Sequence, residues 1–254
     1  MSENPLKISI ITVVKNAENT ISRCLSSLIE QTYSNVEIIV MDGASTDGTL
    51  GFIEKFRREN LKIYSEKDLG IYDALNKGIS RSTGDIIGLL HSDDYLSNEL
   101  VLEDIANEFS NTSLPIIIGK LSYFHPDNLT KIVRRYYPFR FSKWMFRFGM
   151  APPHPAFYAK RELFERYGNY RTDLEIAGDF DLMLRFLYLH KVPYKCIDEN
   201  WVMMSTGGKS TNGWTSIIKN NKDILTVCRD HHFYSNYMFI YAKYLIKTVG
   251  LLIK

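Results

Sequence analysis

Asp85-Ile-Ile-Gly-Leu-Leu-His-Ser-Asp-Asp-Tyr95 decides how this chain is read. An apolar run stops abruptly at two adjacent carboxylates, Asp93 and Asp94. In an open α/β sheet, ligands bind in the crevice beyond the carboxyl ends of the strands. A strand that delivers two acids there makes a seat for a hard divalent cation and the phosphates it neutralises. This points to phosphate-ester chemistry and asks the flanking sequence for a parallel sheet.

The sequence upstream supplies one. Ile8-Ser-Ile-Ile-Thr-Val-Val14 is continuous, apolar and β-branched, as a strand buried on both faces should be. Ile21, Leu25, Leu28 and Ile29 follow at helical spacing. Val36–Met41 and Leu61–Tyr64 read as further strands, Leu50–Arg58 and Ile71–Ser82 as helices, and residues 85–90 as the fourth strand. Strand and helix alternate, so the first half is expected to stack βαβ units on a mostly parallel central sheet. Downstream, Pro115–Gly119, Ala156–Ala159, Tyr194–Cys196 and Trp201–Met204 read as strands, and Phe180–His190 as a helix. No Pro/Gly/Ser linker divides the chain. One α/β domain over residues 1–230 is expected, with an amphipathic helical appendage over 231–254.

Composition excludes more than it names. The 254 residues carry a net charge of only +2, which singles out no partner. The three cysteines, Cys24, Cys196 and Cys228, are scattered without Cys-x-x-Cys spacing, which argues against a zinc site or disulfide framework and suits a reducing, cytoplasmic setting. The N-terminus lacks the basic-then-apolar pattern of a secretory signal. No apolar run reaches the roughly 18–20 residues of a spanning helix.

Four polar clusters punctuate the strands: Thr12-Val-Val-Lys-Asn16, Asp42-Gly-Ala-Ser-Thr-Asp-Gly-Thr49, Glu66-Lys-Asp-Leu-Gly-Ile-Tyr-Asp73 and the Asp93-Asp94 pair. Any one alone is ordinary turn chemistry. Four at successive strand ends would converge on one rim. With Ala177-Gly-Asp-Phe-Asp-Leu-Met-Leu-Arg185, these strings resemble, in order and spacing over residues 7–190, the family 2 glycosyltransferases of the inverting GT-A (Rossmann-like) fold, as in bacterial surface-polysaccharide enzymes.

The resemblance implies roles. Thr12, Val14 and Asp42 match positions that hold the base and ribose of a nucleotide, and Asp68 and Asp93 match nucleotide or donor-sugar positions. Asp93 and Asp94 match the metal motif for Mn2+ or Mg2+, with Asp94 as the direct ligand and His91 as a weaker candidate in place of a common acid. Asp179 matches the catalytic base. If 179 and 181 share a helix, they point about 200° apart, so one acid faces substrate and Asp181 is expected to pair with a basic neighbour. His154, within Pro152-Pro-His-Pro-Ala156, and Lys209 are candidate acceptor or phosphate contacts. Lys209 is not part of a P-loop: the position five ahead of Gly208-Lys-Ser, where the motif requires glycine, is Met203.

From residue 131 to 161 there are eight basic residues and no acid: Lys131, Arg134, Arg135, Arg140, Lys143, Arg147, Lys160 and Arg161. Aromatics interleave with them. Given the enzyme reading, this favours the cytoplasmic membrane face or a lipid diphosphate over nucleic acid. Lys243, Lys247 and Lys254 in an apolar C-terminal helix suit an interfacial helix or a homodimer contact.

The expected activity is thus metal-dependent transfer of a sugar from a nucleotide-diphosphate donor, a UDP-sugar first, to a glycan or polyprenyl-diphosphate-linked acceptor. A sugar-1-phosphate nucleotidyltransferase is the first rival, but it would open on a glycine-rich loop after the first strand. A non-catalytic nucleotide-sugar-binding protein is the second, and it gives no reason to keep both Asp94 and Asp179.

Overall fold

A computed structural model describes residues 5–138, 141–206 and 213–252. The first half follows the expected alternation: β1 (Ile8–Val14), α1 (Ile21–Ile29), β2 (Val36–Asp42), α2 (Thr49–Glu54), β3 (Leu61–Ser65), α3 (Ile71–Arg81) and β4 (Ile86–Leu89). β1, β2 and β4 are buried at every position, because helices cover both faces of the sheet. Successive side chains of β1 therefore feed two cores. Ile8 and Ile10 pack with Cys24, Leu25 and Leu28 of α1, while Ile11 and Val13 pack with Leu75 and Ile79 of α3.

The second half contains β5 (Tyr95–Leu96), α4 (Val101–Asn111), β6 (Ile116–His125), β7 (Asn128–Tyr136), β8 (Phe157–Lys160), α5 (Arg161–Tyr167), α6 (Gly178–Met183), β9 (Lys195–Ser205), α7 (Trp214–Asp230) and α8 (Tyr237–Leu252). The sheet order is β3-β2-β1-β4-β8-β6-β9-β5, with β7 paired to β6. This corrects the expectation of a mostly parallel sheet. β1, β2, β3 and β4 pair in parallel, as does β6 with β9, but β4–β8, β6–β8, β6–β7 and β5–β9 are antiparallel. The reason lies in the connections: βα crossovers force parallel pairing in the first half, whereas the β6–β7 hairpin returns directly.

Other expectations shift. The two short segments near residues 194–204 form one strand, β9, whose register against β6 is irregular near Lys120. The helix expected over residues 180–190 is α6 followed by a π turn over Leu184–Leu189. α7 has no counterpart in the sequence reading. Part of the basic-aromatic stretch is the strand β7, and a 3-10 turn spans Lys143–Phe148.

α8 does not stand apart from the domain. Ile240 is fully buried, and Phe239 meets Phe148 edge-on at 5.3 Å. Lys243 is buried, with its ammonium 5.2 Å from the Tyr244 ring, so it does not join an exposed basic face. Lys247 and Lys254 lie outside the residues whose side chains are described. No helix among the described residues is long and apolar enough to cross a membrane.

Candidate active site

The carboxyl ends of β1 and β4 and the start of α6 open onto a cleft of about 780 Å³. Val14, Asp68, His91, Asp93, His154 and Asp179 all line it. These residues are separated by up to 165 positions in sequence, and the fold brings them to one rim. Thr12, Asp42 and Asp94 are buried and do not line the cleft wall. Lys209 lies outside the described residues.

The loops after β1 and β2 are stitched together. Asn16 takes a left-handed conformation, which its short polar side chain tolerates, and its Oδ1 accepts the Thr46 N–H at 2.9 Å. The Asn16 N–H donates to Ser45 Oγ at 2.8 Å. Asp42 accepts from the Ser45 amide and hydroxyl and from Ser65 Oγ at 2.6 Å, so its carboxylate fixes this loop. The next residue, Gly43, lies directly beneath the Asp68 carboxylate and the Lys15 stem. A Cβ there would collide with Asp68, so the glycine permits this close approach.

The turn after β4 is held from behind. Arg23 donates to the Asp93 carbonyl at 2.9 Å while stacking over Tyr95 and Phe124. Asp94 accepts the Ser205 N–H at 3.0 Å through Oδ1, tying this turn to the end of β9. Its Oδ2 is buried without a partner among the described residues. Burial, reinforced by the neighbouring Asp93 charge, pushes the Asp94 carboxyl well above the usual range.

Both cleft histidines are held below the usual imidazole range. Burial lowers His91, against the opposing pull of Asp93. Burial and the nearby His91 push His154 down to about 3. The His154 Nε2 is within 2.7 Å of the Tyr170 hydroxyl, and the Tyr170 ring stacks on Tyr72 with centroids 5.7 Å apart.

Asp179 sits in the first turn of α6. Its Oδ1 accepts the Phe180 N–H at 2.8 Å. Part of the residue opens to the cleft, but protein atoms crowd the carboxylate, and this desolvation raises it to about 6. The Tyr72 and Tyr170 side chains lie close enough to feel its charge. Tyr72 also donates to the Ile176 carbonyl, and its ring occupies the space a Cβ on Gly178 would need. No ion pair engages Asp179 among the described residues. Asp181, two residues on, points inward as expected: Arg185 Nε and His231 Nε2 approach its two oxygens at 2.7 and 2.8 Å.

Sequence reasoning passed over Tyr72, Glu175, Ile176, Pro155 and Met204, all of which line the cleft, and gave Lys15, Asn16 and Asn19 no roles. Lys15, Asn16 and Tyr72 stood inside the quoted clusters, so strand-end position was a usable signal. Glu175 and Met204 carried none, because long-range packing alone brings them to the rim.

The fold and this cleft are those of an α/β protein that gathers acids and histidines at the ends of its central strands. Residues 9–168 match the family described as glycosyl transferase family 2, and the chain belongs to that family. An uncharacterized glycosyltransferase of Mycobacterium tuberculosis is 31% identical over 193 residues, covering 75% of this chain and 72% of the relative. A PGL/p-HBAD biosynthesis glycosyltransferase of the same species is 29% identical over 188 residues, covering 70% and 68%. Among solved structures, S. aureus TarS 1–349 in complex with UDP-GlcNAc has a TM-score of 0.66 at 19% identity, covering 91% of this chain and 74% of that one. The mannosyltransferase PcManGT from Pyrobaculum calidifontis, in complex with GDP-Man and Mn2+, has a TM-score of 0.65 at 18% identity, covering 95% and 70%. At such identity, these structures speak for the fold.

Proposed function

We propose that this glycosyltransferase moves a sugar, with inversion, from a nucleoside-diphosphate donor to an acceptor hydroxyl in glycan assembly. UDP is the first candidate nucleotide. The observation that carries this reading is a carboxylate without a cationic partner among the described residues, Asp179, raised to about 6 in the same cleft as Asp68 and Asp93. The Mycobacterium relative named for a biosynthetic glycosyltransferase and the nucleotide-sugar complexes of TarS and PcManGT support it. The three cysteines are unpaired thiols, which supports a cytoplasmic setting; recovery of the protein outside the cytoplasmic face in cell fractionation would refute that placement.

Asp179 takes the proton of the acceptor hydroxyl as its oxygen bonds to the anomeric carbon. The carbon–oxygen bond to the diphosphate breaks on the opposite side, and its electron pair leaves with the nucleoside diphosphate. Asp68 and the β1 loop with Lys15 and Asn16 orient the donor.

A divalent cation fits the residues in part. Among the described residues, no three His, Cys, Asp or Glu side chains converge on one point. Yet Asp93 faces the cleft, and the orphaned Oδ2 of Asp94 lies one residue on. Asp93 and Asp94 are thus the groups that would hold Mn2+ or Mg2+, and His91, as an imidazole, suits Mn2+ better than Mg2+. A hard ion keeps water and phosphate oxygens as its other ligands. When bound, it would supply charge neutralisation for the departing diphosphate.

Calorimetric titration with UDP, with and without Mn2+, tests this assignment. Asp93→Asn and Asp94→Asn are each expected to weaken the metal-dependent component by at least about tenfold, the scale on which even outer-sphere partners act. Unchanged affinity in both variants removes the cation from this turn.

The pH profile tests the base. Transfer needs Asp179 ionised, so kcat/KM is expected to be flat above about pH 7 and to fall about tenfold per unit below a pKa near 6. A profile that stays flat down to pH 4.5, where the group would be protonated, excludes Asp179 as the base. A thermal-shift screen of nucleotide sugars with Mn2+ identifies the donor through the largest rise in melting temperature.

A further inference from the structure

One exposed face belongs neither to the cleft nor to the cores. Trp144 is 55% exposed, Tyr234 65%, Tyr237 60%, Met238 78% and Tyr241 46%, values far above those of ordinary core-forming aromatics. They lie on two elements that pack together, the Lys143–Phe148 turn and α8 with the residues just before it. Trp144 meets Phe148 edge-on at 5.4 Å, Phe148 meets Phe239 at 5.3 Å, and Phe239 meets Tyr234 at 6.1 Å. The Arg147 guanidinium lies 5.8 Å from the Tyr234 ring centre, and Ser235 Oγ donates to the Arg147 carbonyl at 2.7 Å. Tyr237, Met238 and Tyr241 share the exposed side of α8, about 100° or more around the helix from Phe239.

We propose that these exposed residues, Trp144, Arg147 and Tyr234 beside α8 and Tyr237, Met238 and Tyr241 on it, together dock the protein onto an anionic phospholipid bilayer. Amphipathic rings suit the headgroup boundary, where the ring body is apolar and the hydroxyl or indole N–H stays wet. Met238 and Trp144 supply the apolar wedge, and Arg147 meets the lipid phosphates. The charge pattern argues for lipid over a second copy of the chain. A two-fold contact would lay this face on itself. Residues 131–161 and 231–254 contain no Asp or Glu, so Lys143 and Arg147 would find no opposing charge within these segments of the partner. A phosphate surface answers them directly. The docking residues differ from the expected lysine stripe, because Lys243 is buried.

The face is mechanically close to the chemistry. Between Trp144 and Arg147, Phe146 turns inward and packs edge-on against Phe180 at 5.5 Å, next to Asp179. Docking would present the cleft beside the membrane, where a lipid-borne acceptor is found; this purpose rests on the transferase reading, but the docking itself does not.

Co-sedimentation of the full chain with vesicles tests the proposal. The protein is expected to pellet with phosphatidylcholine vesicles containing phosphatidylglycerol, and much less with phosphatidylcholine alone. Arg147→Glu and, separately, the combined Trp144→Ser, Tyr237→Ser, Met238→Ser variant should each lower partitioning about tenfold. Circular dichroism and UDP-induced thermal shifts should match the parent chain, which separates loss of docking from loss of folding or donor binding. A parent chain that stays in the supernatant, variants that pellet as well as the parent, or a parent dimer that the triple variant converts to monomer would each overturn the proposal.

Discussion

Asp179→Asn is expected to cut transfer by about 10²- to 10⁴-fold, the range that a positioned general base contributes. The substitution is nearly isosteric, and the new Oδ1 can still accept the Phe180 N–H that the carboxylate accepts at 2.8 Å. Donor binding should therefore survive, because the proposed donor contacts, Asp68, Asp93 and the loop after β1, lie on other elements of the cleft. A kcat that collapses while UDP affinity holds is the signature of an interaction made only in the transition state. Full activity in this variant would remove the base assignment. Loss of UDP binding would move Asp179 to the donor side.

Asp181→Ala is expected to act differently and to cost stability, about 3–5 kcal/mol, because breaking a buried ion pair leaves an uncompensated charge. Asp181 is fully buried between Arg185 at 2.7 Å and His231 at 2.8 Å. Arg185 also donates to the carbonyls of Tyr167, Gly168 and Asn169, so its guanidinium cannot swing out to water without breaking those bonds. The network joins α6 to the loop after α5 and to the end of α7. The double variant Asp181→Leu with Arg185→Met should recover much of the loss, since an apolar pair in this space avoids the stranded charge. Urea unfolding decides the point: a loss under about 1 kcal/mol in the single variant would show that water reaches the site. The two aspartates, two residues apart, thus divide into one that should govern rate and one that should govern folding.

The strands and helices of the first half were legible because their signals are local. β1 and β2 are unbroken apolar runs, α1 repeats apolar residues at helical spacing, and polar clusters mark where each strand ends. The second half was less legible for physical reasons. β7 mixes exposed charge with exposed apolar residues because it pairs with β6 alone among the described strands, so no two-sided burial shapes its pattern. α7 does repeat Ile217, Ile218, Ile224, Leu225 and Cys228 at helical spacing, a local signal that the sequence reading passed over.

The sequence alone established that an α/β sheet delivers acids to one rim, that the chain resembles family 2 glycosyltransferases, and that Asp179 rather than Asp181 should face the cleft. Only tertiary structure decided that β8 and β6 complete the sheet antiparallel, that Asp94 turns its oxygen toward Ser205, and that α8 buries Ile240 against the domain. The division follows from range. Periodicity and turn chemistry act between neighbouring residues, whereas burial and the partners of a charge are set by contacts such as Asp181 with His231, 50 positions apart.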